Sequence, residues 1–176
     1  MNKRERYVEI LYHRKNGVAL LFPWVNISGV TFGCPCDAVE LNPCRAADLG
    51  KNVVALLKKC GQANVDEMKV RWEAEQKVYF KSGTKAWSEM AQRSLRPTYR
   101  RLLQDYPAVA KGPATMLRQF VSAKLFERPG QKSRRLIRVE KSTYRSSTEE
   151  RETIRLPITL IGKKLGDTIL EFLASD

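Results

Sequence analysis

The chain has 176 residues, with 32 Lys and Arg against 19 Asp and Glu, one His and four Cys, giving a net charge of +13. That length suffices for one domain, residues 1–176, with its own apolar core and no disulfide or metal staple. No apolar run approaches the ~18 residues of a membrane span, and the opening MNKRERYVEI has no apolar signal region, so a cytoplasmic protein without membrane contact is expected.

In chain order, Tyr7–His13 (YVEILYH) alternates and is rich in β-branched and aromatic residues, which predicts a strand. Asn16-Gly17 is a turn signal and Val18–Trp24 reads as a second strand, together making a hairpin. Pro23 places the end of that strand at an edge or rim. Val30–Phe32 suggests a short third strand. A helix is predicted from Ala46 to Cys60, ending at Gly61, with Lys58 and Lys59 suited to the negative end of its dipole. Residues 65–80 fit helix and strand equally. Thr84–Ser94 reads as a helix presenting Trp87, Met90 and Ala91, and Thr98–Tyr106 as another with Tyr99, Leu102 and Leu103 inward. Pro107, Gly112 and Pro113 predict a loop. Arg118–Arg128 and Arg134–Tyr144 form a predicted hairpin through Pro129-Gly130, and Ser146–Glu152 reads as a polar loop.

One pattern occurs twice. VELNPCRAADLGKNVVALLKKC (39–60) and RLPITLIGKKLGDTILEFL (155–173) each run from a Pro-containing stretch through a polar turn into a helix opened by Leu-Gly. Apolar residues recur at three- and four-residue steps in both: Leu49, Val53, Leu56, Leu57, and Leu165, Ile169, Phe172, Leu173. Gly costs a helix about 1 kcal/mol against Ala, so its presence in both copies points to close backbone packing, expected here against a strand. The expected fold is α+β: a mostly antiparallel or mixed sheet carrying two repeat-related amphipathic helices.

The catalytic inventory is thin. His13 lies in a predicted strand without a flanking nucleophile, and the P-loop, GxGxxG, GxSxG and HExxH patterns are absent. Neither a catalytic residue nor a cofactor is nominated, and an enzyme is not expected. Cys34, Cys36, Cys44 and Cys60 follow a C-x-C-x₇-C-x₁₅-C spacing that fits no common zinc pattern, so reduced thiols and no metal are expected.

The charge is concentrated instead. Residues 93–145 carry fourteen Lys and Arg against three Asp and Glu, a local excess of +11. Such a surface attracts an acidic protein or a phosphate backbone. Arg93, Arg96, Arg100 and Arg101 recur at helical steps and Arg134 and Arg135 lie at the predicted hairpin, so these six are the candidate partner-binding residues. RNA recognition would also want interleaved aromatics, for which Tyr99 and Tyr144 are the nearby candidates. Arg pairs equally well with carboxylates.

With these segments laid out, the chain resembles the immunity proteins of bacterial contact-dependent growth inhibition, the CdiI-type family. The residues carrying the resemblance are Leu49-Gly50, Lys85-Ala86-Trp87 and the terminal LPITLIGKKLGDTILEFL, with residues 93–120 reading as an insertion. The resemblance implies a stoichiometric inhibitor that binds the C-terminal toxin domain of a cognate CdiA-type effector and covers its active or substrate-binding surface. The alternative from charge alone is a basic RNA-binding protein.

Overall fold

The computed structural model describes residues 4–27, 30–33, 37–62, 64, 66, 70, 97–111, 113–127, 136–145, 148–157 and 159–175. The first hairpin forms as the alternation predicts: β1 (Arg4–His13) pairs antiparallel with β2 (Val18–Ile27). Gly17 closes the turn at φ 62, a backbone that a Cβ disfavours, and its N–H reaches the His13 carbonyl at 2.9 Å. Two short strands share the outer edge of β2. β4 (Val39–Leu41) pairs with Ala19–Leu21, and β3 (Val30–Gly33) with Trp24–Ile27. Pro23 is therefore not at the strand's end. It sits mid-strand in the gap between the two pairings, where a residue without an N–H costs no ladder bond on that side.

Helix α1 (Ala46–Gln62) runs through Gly61 rather than stopping at it. The predicted helix at Thr84–Ser94 lies outside the described residues. Helix α2 (Pro97–Asp105) forms as expected, but the predicted loop beyond it holds two short helices, α3 (Pro107–Ala110) and α4 (Pro113–Leu117). Each starts on Pro, whose fixed φ and missing N–H suit the first helical position. Strands β5 (Val121–Glu127) and β6 (Leu136–Arg145) pair antiparallel.

β7 (Thr148–Pro157) overturns the polar loop expected at 146–152, because Thr148–Glu152 pair with Lys141–Arg145 of β6. Residues 148–153 are all exposed. An edge strand of this kind needs no apolar face; main-chain bonds to its neighbour hold it, and its charges discourage further pairing. Helix α5 (Gly162–Ala174) ends the described chain.

The sheet has seven strands in the order β3-β2-β1-β5-β6-β7, with β4 also on β2, and the pairings are antiparallel. This is the α+β architecture expected. One face carries Val8, Ile10, Leu21, Ala123, Leu125 and Val139 and is covered by Leu49, Val53, Leu56 and Leu57 of α1 and Leu165, Ile169 and Leu173 of α5. The two Leu-Gly helices thus share one core as related units. The opposite face buries Leu11, Val18, Leu20, Phe22 and Phe120 under Leu102 of α2 and Ala108 of α3.

The glycines do not face a strand, as the sequence suggested. α1 and α5 pack directly on one another. A Cβ on Gly50 would overlap the Gly162 carbonyl oxygen, and one on Gly166 would overlap the Ala46 carbonyl oxygen. The leucines turn to the sheet while the glycines, one position on and about 100° around each helix, turn to the partner helix. The pairing of 46 with 166 and 50 with 162 means that the first turns of the helices run in opposite senses where they touch.

Candidate interaction surfaces

Of the six arginines nominated from sequence, Arg93, Arg96, Arg134 and Arg135 lie outside the described residues. Arg100 and Arg101 are on α2, both exposed, and they differ in role. Arg101 donates from Nη2 to Glu40 Oε2 of β4 at 2.6 Å and lies 3.8 Å from Asp105. The Tyr106 hydroxyl donates to the other Glu40 oxygen at 2.9 Å. Burial, then this bond to a carboxylate, pushes the Tyr106 hydroxyl up to about 12. Arg101 therefore fastens α2 to the sheet, while Arg100 is exposed on the same helix.

The opposite sheet face also holds a carboxyl group that the sequence did not single out. Glu9, on β1, is mostly buried beside Trp24, Ser122 and Lys124; Ser122 Oγ lies 3.4 Å from its Oε1. The Trp24 indole N–H is buried and faces it without closing a well-formed hydrogen bond. Burial raises the Glu9 carboxyl above 4.5, outweighing the lowering by Lys124, Trp24 and Ser122. Between 4.5 and its raised value the folded chain holds a proton that the unfolded chain has lost. Stability contributed by the protonated form falls as pH rises through that window. Glu9→Gln should accordingly melt higher than wild type at neutral pH, with the gap closing on acidification below 4.5. Melting curves that differ equally at every pH would contradict this account. Alternation in YVEILYH already points Glu9 away from Val8 and Ile10; only the covering of both sheet faces makes that position costly.

His13 is a turn and packing residue. Its Nδ1 accepts the Asn16 N–H at 3.3 Å and its ring meets Phe120 edge-on at 5.2 Å. Cys44 precedes α1 and Cys60 is buried in its last turns, so the helix between them sets these two thiols about 20 Å apart, too far to share one metal ion. Cys34 and Cys36 lie outside the described residues.

A second surface sits where α1 and α5 cross. Ile161 is the N-cap of α5, in extended backbone and without a side-chain cap bond. Ile is among the poorest N-caps, giving up about 1 kcal/mol against Ser or Asp. It is also 65% exposed, and Val54 on α1 is 39% exposed. On the same two helices and just before α1, Arg45, Lys51, Lys58, Lys59, Lys163 and Lys164 are exposed, as is Asp48, and Asp167 is bound to Lys163 at 3.0 Å. The positive dipole ends of both helices meet at the same place.

No protein-family model, curated protein or solved structure matches this chain. Among the described residues, no helix is long and apolar enough to cross a membrane.

Proposed function

We propose that the protein is an immunity protein that binds the C-terminal toxin domain of a CdiA-type effector and neutralises it by covering its active or substrate-binding surface. The observation that carries this reading is the reciprocal helix pair. The two Leu-Gly segments behind the family resemblance are matched structural units, each glycine seated on the other helix's backbone. Inhibition by occlusion requires no catalytic residue, only a stable scaffold with a complementary surface.

The RNA-binding alternative draws on the +11 stretch, but several of its cations are already engaged. Arg101 is held by Glu40, Arg138 by Glu5 and Glu140, and Lys141 by Glu152. Paired charges contribute little to counterion release on a phosphate backbone.

Co-expression with the C-terminal domain of the effector encoded directly upstream should yield a co-purifying complex and restore growth to cells making that domain. If the two proteins purify separately and the cells still arrest, the immunity reading is wrong.

A further inference from the structure

The junction of α1 and α5 carries features that the fold itself does not use. Packing there is supplied by Leu160 before Ile161 and Leu165 after it, both within or against the main core. Ile161 instead occupies a cap position that favours a polar residue and exposes most of its surface to water. Among the described residues, the large apolar side chains left exposed are Val54, Val70 and Ile161. Two of these three belong to this junction. Gly50 meets Gly162, the chain neighbour of Ile161, and Val54 lies one turn beyond Gly50 on the same side of α1.

We propose that this junction docks an acidic protein surface, with Ile161 and Val54 as its apolar centre and Arg45, Lys51, Lys58 and Lys164 as its cationic rim. The identity of the partner rests on the immunity reading: it is the toxin domain. An apolar centre inside a charged rim is the anatomy of a protein interface. A nucleic acid fits less well, because a phosphate backbone offers nothing to Ile161 or Val54. The rim lysines and the two helix dipoles add positive potential on one side, which steers a partner rich in Asp and Glu. α2 with Arg100 lies across the sheet from α1 and α5, so one rigid domain does not engage both surfaces directly.

The test measures binding of the purified effector C-terminal domain to the full-length protein and four variants. Ile161→Asp places a good N-cap at α5, so its melting temperature should hold or rise; its affinity should nevertheless fall at least about tenfold, as for loss of a central anchor. The double variant Lys51→Glu/Lys164→Glu should associate about tenfold more slowly at low salt, with the deficit fading as salt is raised. Val54→Ser should weaken binding with little change in association rate. Arg100→Glu should bind like wild type. Wild-type affinity in both Ile161→Asp and the double variant overturns the docking surface and leaves the immunity reading standing. So does a loss seen with Arg100→Glu alone. A wild-type protein that does not bind the effector domain overturns both.

Discussion

Gly166→Ala should lower stability by roughly 3 kcal/mol, about 6–12 °C in Tm for a chain of this size, and Gly50→Ala by a similar amount. Elsewhere on an exposed helix the same change would add about 1 kcal/mol of stability through propensity. Here the new methyl meets backbone: the Ala46 carbonyl for Gly166, and the Gly162 carbonyl together with Gly166 N at 3.0 Å for Gly50. Neither obstacle is a side chain that can rotate away. The helices must separate, and Leu49, Val53, Leu165 and Ile169 lose contacts as they do. Once one methyl has forced them apart, the second meets less resistance, so the double variant should cost less than the sum. Gly61→Ala is the control. Its Cβ would meet the Arg6 guanidinium, the far end of a flexible side chain, and the change should stay within about 1 kcal/mol. Urea denaturation of the three single variants and the double decides the matter; wild-type stability in both Gly50→Ala and Gly166→Ala would falsify the close-contact account.

Lys141→Ala should cost about 3 kcal/mol, and Lys141→Met about 1 kcal/mol or less. Lys141 is 1% exposed on β6, beneath the end of α5. Its Nζ donates to the Ser175 carbonyl at 3.0 Å and hydroxyl at 2.9 Å, pairs with Glu152 at 3.2 Å, and lies 5.0 Å from the Phe172 ring centroid. Arg14 adds bonds to the Leu173 carbonyl at 3.1 and 2.9 Å and to that of Ser175 at 2.9 Å. Two cations thus satisfy carbonyls at a helix end that lacks internal partners and carries negative dipole charge. Truncation to Ala leaves a cavity where the stem was and frees those carbonyls. Met fills most of the volume, and Glu152, 46% exposed, stays solvated when its partner goes. The cost is therefore packing and hydrogen bonds rather than a stranded charge. Faster amide exchange in the last turn of α5 should accompany Lys141→Ala. An Ala variant as stable as the Met variant would show that the stem contributes nothing.

Local periodicity made much of the fold legible. The 3.6-residue spacing in 46–62 and 162–174, the Asn16-Gly17 turn and the β-branched content of β5 and β6 are properties of neighbouring residues, and the structure forms them where expected. The readings that failed have separate causes. TEERET in β7 has no apolar pattern because an edge strand with exposed faces needs none; its pairing belongs to β6. Pro23 reads as a strand end until β3 and β4 are seen to leave a gap opposite it. Pro107 and Pro113 signal a break, and a Pro that breaks one helix also starts another well.

The candidate surfaces divide in the same way. The charge excess between 93 and 145 is plain in the sequence, yet Arg100 and Arg101, adjacent there, part company once Glu40 arrives from a strand 61 residues away. Ile161 and Val54 are ordinary apolar residues on paper, and their exposure follows only from how two helices cross. By itself the sequence determined the first hairpin, β5 and β6, the two amphipathic helices of the repeated Leu-Gly unit, the α+β class and the sign and location of the charge. Those depend on side-chain periodicity and composition, which act over a few residues. Only the tertiary structure decided what each glycine touches, which cations are neutralised and which apolar side chains stay in water. Those depend on close approach between residues far apart in the chain, where single carbonyls and guanidinium groups determine the outcome.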